Sequence, residues 1–342
     1  MRILLKLFLY IIFSLIIGIA LFFMWAGSGI VSKDKLSGIN KYSDDFEDPS
    51  QANNRFKIMT FNCGYFSGMR NNLPVRSSRK FYMSNLNVFS DLIRNIKPDI
   101  VCFQEIDFNS HRSHQVDQSQ YLSNHLKFMY NAFAINWNKK YIPFPYWPPS
   151  AHFKKMVSGQ SVISMFPILN NKRIELKRPP NPFYYDKFYL DRLIQETQIR
   201  IGDKNLIILN IHLEAFDRNI REEQAEFVIN YYKKIQMNRN PVIILGDFNC
   251  VPPDAMKKYD FPDEPGMDHR KESTITIFLE EESLSCASAG IKNPKSTFPS
   301  LSPDRKLDYI FYTRKYIDLV RTDVFNINSS DHLPLMMEFR MK

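Results

Sequence analysis

The 342-residue sequence has little cysteine, and none of it is clustered. Cys63, Cys102, Cys250 and Cys286 are widely spaced and form no CxxC pair, which argues against a clustered zinc site. Cys63 and Cys102 lie in apolar, strand-like runs and read as buried thiols acting as small apolar residues. No internal repeat and no low-complexity tract is present, so solenoid and disordered classes drop out. No dense Lys/Arg block and no ladder of basic residues stands out, as a nucleic-acid groove would require. What is present is an ordinary globular composition, 44% hydrophobic and 24% charged. There are 28 Phe and 17 Tyr, enough for a well-filled core and some aromatic loops. The formal net charge of +9 favours anionic partners such as phosphate esters or an acidic membrane surface. A scattered basic surface accounts for it equally well.

The N-terminus carries the one long apolar run. From Leu7 to Ala26 no charge occurs, a length that spans a bilayer as a helix. Residues 1–26 are therefore expected to be a transmembrane anchor or a signal segment. The length of the run and the lack of an A-x-A site favour the anchor. Arg2 and Lys6 precede it, while Asp44, Asp45, Glu47 and Asp48 follow it. The positive-inside tendency then places the bulk of a single-pass protein on the non-cytoplasmic side. Trp25 suits an interfacial position. Residues 27–54 are polar and read as a linker, and 55–342 as one domain, long enough for a large core.

Within the domain, short apolar runs alternate with amphipathic stretches. Tyr82, Leu86, Phe89, Ile93 and Ile96 recur at steps of four and three, the period of a helix that Pro98 would stop. Ile220, Gln224, Phe227, Tyr231 and Ile235 mark another helix. Residues 56–61, 100–103, 160–168, 195–201, 206–213, 242–245, 307–312 and 333–339 read as strands, giving a mixed α/β class. One pattern recurs: Asn62, Glu105, His212, Asp247 and Asn249 each stand at or near a strand end. Strand ends of layered α/β proteins are where ligands gather.

Singly, each residue has a plain explanation. Glu105 reads as a surface or capping carboxylate, His212 as a core histidine, and Asn62, Asp247 and Asn249 as turn residues. Asp331-His332 reads as a loop into the last strand. Together they supply what phosphate-ester hydrolysis needs: oxygen ligands for a hard cation, a base for water, and donors for the transition state.

The combination resembles the endonuclease/exonuclease/phosphatase superfamily, which includes DNases, sphingomyelinases and inositol-phosphate phosphatases. The resemblance rests on T-F-N at 60–62, Q-E at 104–105, N-I-H-L at 210–213 and G-D-F-N at 246–249. It continues with S-T-F-P-S at 296–300, K-L-D-Y-I-F at 306–311 and S-D-H-L-P at 330–334, in family order over about 55–342. It implies a four-layer sandwich of two mixed β-sheets flanked by helices, after the N-terminal transmembrane helix. It implies that Glu105 is the principal ligand of Mg²⁺ (or Mn²⁺), with Asn62 and Asp331 close to the metal. His332 would be base or phosphate stabiliser, oriented by Asp308. Asp247 would align or deprotonate water, Asn249 would hold the phosphate, and His212 would stabilise the transition state or protonate the leaving group. Gly64 stands where some nucleases place a further acid, which puts a second metal in question.

Two aromatic, proline-rich stretches, 141–149 and 179–189, suggest either a recognition wall touching lipid or loops stiffened by packing. His111, Arg112 and His114 with Asp117, and Arg70, Arg76 and Arg79, offer anion contacts, or else a polar loop and solvated surface. The expected activity is a metal-dependent phosphoesterase, weakly favoured to act on a lipid headgroup or other membrane-proximal phosphate ester. The alternatives are a membrane-tethered or secreted nuclease, and a non-catalytic binding protein on the same fold. The sequence is silent on oligomeric state.

Overall fold

Alternation along residues 206–213 divides the chain into layers. Leu206 and Ile208 are buried in one apolar cluster, and Ile207, Leu209, Ile211 and Leu213 in another. A strand buried on both faces lies inside the structure, covered twice. The same division runs through the other central strands.

The computed structural model describes residues 2–42, 54–71, 73–237, 239–291 and 295–342. Its elements are α1 (Arg2–Ala26), β1 (Ser37–Lys41), β2 (Phe56–Asn62), α2 (Arg79–Ile96), β3 (Ile100–Asp107), α3 (Gln118–Leu126) and β4 (Tyr130–Ile142). There follow β5 (Lys154–Ser164), β6 (Ile168–Glu175), α4 (Phe183–Asp186), β7 (Leu193–Ile201), β8 (Lys204–His212), α5 (Arg218–Gln236) and β9 (Val242–Asp247). The chain ends with β10 (Tyr259–Phe261), β11 (Glu264–Asp268), α6 (Thr274–Leu279), β12 (Leu284–Cys286), β13 (Asp308–Thr313), β14 (Ile317–Val324) and β15 (Leu335–Met341).

Two mixed sheets face each other. One has the order β1-β4-β5-β3-β2-β15-β14 and the other β12-β13-β9-β8-β7-β6. Between them lies a cluster drawn from both, including Ile58, Ile100, Cys102, Val162, Leu206, Ile208, Leu245 and Leu335. Each such aliphatic side chain contributes about 1.5–3 kcal/mol of hydrophobic stabilisation. The outer face of the first sheet is covered by α2 and α3 through Leu86, Phe89, Ile93 and Leu122, and that of the second by α5 and α6 through Val228, Tyr232, Ile275 and Phe278. The four-layer sandwich expected from the sequence is therefore the fold.

Local chemistry sets the covering helices. Ser78 caps α2 by accepting from the Phe81 amide, and Lys97, just before Pro98, closes it in the left-handed region. Asp217 caps α5 by accepting from the Ile220 amide. All four cysteines are buried with free thiols.

α1 is long and apolar enough to cross a membrane, a property it shares with signal sequences. Its last turn meets the domain: Phe22 and Trp25 pack on Tyr141, and Phe23 on Phe188. The chain beyond it departs from the linker read in the sequence. The amides of Ile30 and Val31 donate to Asn138 Oδ1, and Ser37–Lys41 pairs antiparallel with β4 as an edge strand. The polar composition of this stretch reflects an edge strand with exposed side chains rather than a free tether. Asp44, Asp45, Glu47 and Asp48 lie outside the described residues.

Candidate active site

On five central strands the side chains facing the opposite sheet change from apolar to polar toward one end. On β2 the series is Ile58, Thr60, Asn62; on β3 it is Ile100, Cys102, Gln104. On β8 it is Leu206, Ile208, Asn210, His212, and on β9 it is Ile243, Leu245, Asp247. On β13, which runs the other way, Tyr312 and Ile310 lead to Asp308. Register aligns these ends: Asn62 lies opposite Gln104, His212 opposite Asp247, and Asp247 opposite Asp308. The period of two in a strand thus converts five scattered motifs into one polar end of an otherwise apolar gap.

The motif letters just below the site tie the sheets together. Gln104 Nε2 donates to Asn210 Oδ1 across the gap at 2.6 Å and to Thr60 Oγ1 at 3.1 Å. Asn210 Nδ2 donates to the Phe103 carbonyl at 3.0 Å and to Gln195 Oε1 at 3.1 Å. Buried amides left unpaired here would cost about 1–3 kcal/mol each, so this network holds a specific spacing of the sheets.

Asp247 is the hub of the site. Its Oδ2 accepts from Asn62 Nδ2 at 2.9 Å, and its Oδ1 from the Asn249 amide at 2.9 Å. His212 Nε2 lies 3.5 Å and His332 Nε2 3.7 Å from Oδ2. Burial raises the Asp247 carboxyl to about 7, against the nearby His332, which lowers it. His332 Nδ1 is 2.9 Å from Asp308 Oδ2. Burial opposes charge on this imidazole, but Asp308 and Asp247 outweigh it and raise the group to about 10. His332 is therefore an imidazolium at neutral pH, donating Nδ1–H to Asp308 and presenting Nε2–H to the cleft. Asp247, Asp308 and His332 also bring ligand atoms close enough together for a metal, but the Asp308–His332 hydrogen bond already occupies that geometry.

The second focus is carboxylate. Glu105 has φ +51°, at a break in register between Phe103 and Ile106 on β3. A bulge of this kind re-aims a side chain beside a site, and here it delivers Glu105 where simple alternation would not. Asn71 Nδ2 donates to Glu105 Oε2 at 3.1 Å and to Asp331 Oδ2 at 3.2 Å. One donor bonded by two carboxylates marks a place that favours positive charge. Burial, then the like charge of Asp331, raises the Glu105 carboxyl above the usual range, since both disfavour the ionised form. The oxygen donors suit a hard divalent ion. Asn62 stands beside them with Oδ1 accepting from the Gly64 amide. At Gly64, φ is +46° and an added Cβ would lie 2.5 Å from Asp331 Oδ1, so a side chain there would be strained and would displace the Asp331 carboxylate.

Arg192 was not found from the sequence. Its Nη1 donates to His212 Nε2 at 2.6 Å, and it is buried with its Nε 3.7 Å from Glu214 Oε2 and without a hydrogen-bond partner among the described residues. Burial, then Arg192 and His332, lowers the His212 imidazole well below its usual value, so His212 is neutral with its proton on Nδ1. The available signal was an arginine one residue before the strand that pairs with the histidine strand, Leu193 opposite His212. Asn71, in a loop, carried no signal at all. Asn249 sits at φ +49° with its Nδ2 donating to the Leu213 carbonyl at 2.9 Å. The polar loop after Glu105 is structural in part: Asp117 caps α3, Arg112 pairs with Asp107, and His114 Nε2 is 2.8 Å from the Ser77 carbonyl.

A fold of two facing mixed sheets, with Asn, Glu, Asp and His converging at one end, defines a phosphoesterase class. Over residues 59–332 the chain matches the Endonuclease/Exonuclease/phosphatase family, and it belongs to that family. Members are generally hydrolytic phosphoesterases dependent on a divalent metal. Similar solved structures include an endonuclease/exonuclease/phosphatase from Beutenbergia cavernae, at 20% identity and TM-score 0.61, covering 84% of this chain and 72% of that one. The human nocturnin catalytic domain with bound sulfate aligns at 15% identity and TM-score 0.58, covering 92% of this chain and 100% of its own. A mannosyl-6-phosphatase from Bacteroides thetaiotaomicron aligns at 15% identity and TM-score 0.56, covering 83% and 99%. At these identities the likeness is one of fold. No curated protein matches the chain.

Proposed function

We propose that the domain hydrolyses a phosphate ester by direct attack of water, with Mg²⁺ or Mn²⁺ bound by Glu105 and Asp331 and with Asn62 beside it. The observation that carries this reading is the meeting of both sheets at Asp247, through the Asn62–Asp247 hydrogen bond and the adjacent His332–Asp308 pair. A divalent cation at the two carboxylates would neutralise phosphoryl oxygens. Asp247 orients water and takes its proton. His332, held by Asp308, donates from Nε2 to a phosphoryl oxygen. Arg192 adds a second cationic donor on the His212 side of the cleft, and His212 and Asn249 line that side. The attacking hydroxyl joins phosphorus, the ester oxygen leaves on the opposite side and takes a proton from solvent, and the proton held by Asp247 passes to solvent.

A membrane-proximal substrate is the favoured class. The support is the apolar helix α1 and the aromatic side chains beside its exit. Trp147 and Phe183 are 77% and 78% exposed, although Phe144 and Phe188 of the same stretches pack inward. The test uses the full chain in lipid nanodiscs. Hydrolysis is assayed on phospholipid vesicles containing sphingomyelin and on plasmid DNA, with Mg²⁺ or chelator, beside His332→Ala. Metal-dependent headgroup release lost in the variant is the expected result. DNA cleavage without lipid turnover would replace this reading with a tethered nuclease. Inactivity on both, together with no metal binding, would leave a non-catalytic protein.

A further inference from the structure

Next to the carboxylate focus lies a second cleft, open to solvent, which the chemistry above does not use. Asn71 lines it and also bonds Glu105 and Asp331, so the two spaces share a wall. The other polar side chains that matter are Arg70, Arg76, His111, Arg112 and His152. No carboxylate lines the cleft among the described residues. Arg70 and Arg76 are exposed at its mouth, and neither forms an ion pair among the described residues. Arg112 is buried, braced by Asp107 and stacked on Tyr65, yet its Nη1 has no hydrogen-bond partner among the described residues. A buried, unpartnered guanidinium nitrogen beside two unpaired arginines lacks an acceptor. Burial and then the neighbouring Arg76 and Lys154 hold the His111 imidazole below its usual value, consistent with a positive field. His152 connects this cleft toward α1, since its Nδ1 is 2.8 Å from the hydroxyl of Tyr141, the residue on which Phe22 and Trp25 pack.

We propose that this cleft is an anion subsite that binds a second phosphate group of the substrate, with Arg70, Arg76 and Arg112 as its donors. Arginine forks match phosphate oxygens in geometry and charge. The proposal rests on the phosphoesterase reading for its purpose but not for its test. The preferred substrate class is then a molecule with two phosphate groups, one at Glu105 and Asp331 and one here. The second phosphate comes either from a soluble bisphosphate or from a phosphomonoester lipid headgroup in the bilayer.

Binding is measured on the full-length Glu105→Gln protein in phosphatidylcholine nanodiscs with chelator, so that turnover and metal play no part. Inorganic phosphate is titrated and followed by ³¹P NMR. Saturable binding, weakened at least tenfold in Arg76→Gln and in Arg70→Gln and largely restored in Arg76→Lys, is the expected result. Adding phosphatidic acid to the nanodisc separates the sources. Displacement of phosphate assigns the site to a lipid headgroup, and its failure assigns the site to a soluble ligand. In the metal-loaded wild-type background, Arg76→Gln raises KM on a sugar bisphosphate about tenfold with a smaller change in kcat. Absence of phosphate binding, or binding indifferent to both arginines, overturns the proposal even if the enzyme is active. Phosphate binding in a protein that hydrolyses nothing would sink the phosphoesterase reading and leave the subsite standing.

Discussion

Replacing Asp308 by Asn tests how the site holds its charge. The carboxylate lies 2.9 Å from His332 Nδ1 and is buried with its other oxygen unpartnered among the described residues. Asparagine keeps the size and an acceptor but removes the charge. A hydrogen bond to a charged group contributes about 1.5–3 kcal/mol, which corresponds to about 1–2 pKa units at 1.36 kcal/mol per unit. His332, raised to about 10 in the native site, should therefore fall toward the range of an ordinary imidazole. Because its folded value would be lower, the imidazolium would be lost at lower pH than in the wild type. The assay is ¹⁵N NMR of the His332 ring across pH in the metal-free protein, paired with the pH profile of phosphodiester hydrolysis. The alkaline limb of kcat/KM should move down by about the same 1–2 units, so that titration costs no more than about twofold at pH 8 and about 10–100-fold above pH 10. An unmoved His332 titration in a folded variant would refute the assignment of Asp308 as the group that sustains the charge.

Other consequences follow from local geometry. At Gly246, φ is +141° and a Cβ would lie 1.9 Å from the Ile211 carbonyl oxygen, so Gly246→Ala should destabilise the domain by on the order of 3 kcal/mol, read by urea unfolding. Gly64→Asp should weaken the metal site rather than add a ligand, because the new Cβ would lie 2.5 Å from Asp331 Oδ1 and displace that carboxylate. Metal titration should show at least tenfold weaker binding rather than a second ion. Glu272 is buried between Arg221 and His269, and despite its burial their hydrogen bonds hold its carboxyl down at about 2. Its folded value is depressed, so its contribution is present above the usual carboxylate range and is lost as pH falls from about 4.5 to about 2. That loss amounts to on the order of 3 kcal/mol. Glu272→Gln should flatten this part of the stability–pH curve, measured by denaturant unfolding at each pH.

The legibility of the sequence differed by element. Residues 206–213 and 242–245 were legible as strands because both faces are apolar, and α2 and α5 as helices through a clear helical period. The strand-end residues were legible because each polar side chain interrupts an apolar run. What stayed hidden depends on contacts distant in sequence. β1 is polar and exposed, and only its pairing with β4 makes it a strand. Arg192 reads as one more arginine until β7 pairs with β8 and brings it to His212. Asn71 belongs to a loop with no period, and its position is set by Glu105 and Asp331. The aromatic stretches resolved into both of their readings, with Trp147 and Phe183 outward and Phe144 and Phe188 inward.

The central claim is that the carboxylate pair at Glu105 and Asp331 makes this chain a metal-dependent phosphoesterase. It is tested most directly by Mn²⁺ binding, followed by electron paramagnetic resonance, alongside hydrolysis of bis(p-nitrophenyl) phosphate by the full chain and by Glu105→Gln. One tightly bound Mn²⁺ in the wild type, metal-dependent hydrolysis, and loss of both by about a hundredfold or more in the folded variant are the expected results. Hydrolysis that persists in Glu105→Gln, or that is indifferent to chelator, would contradict the claim.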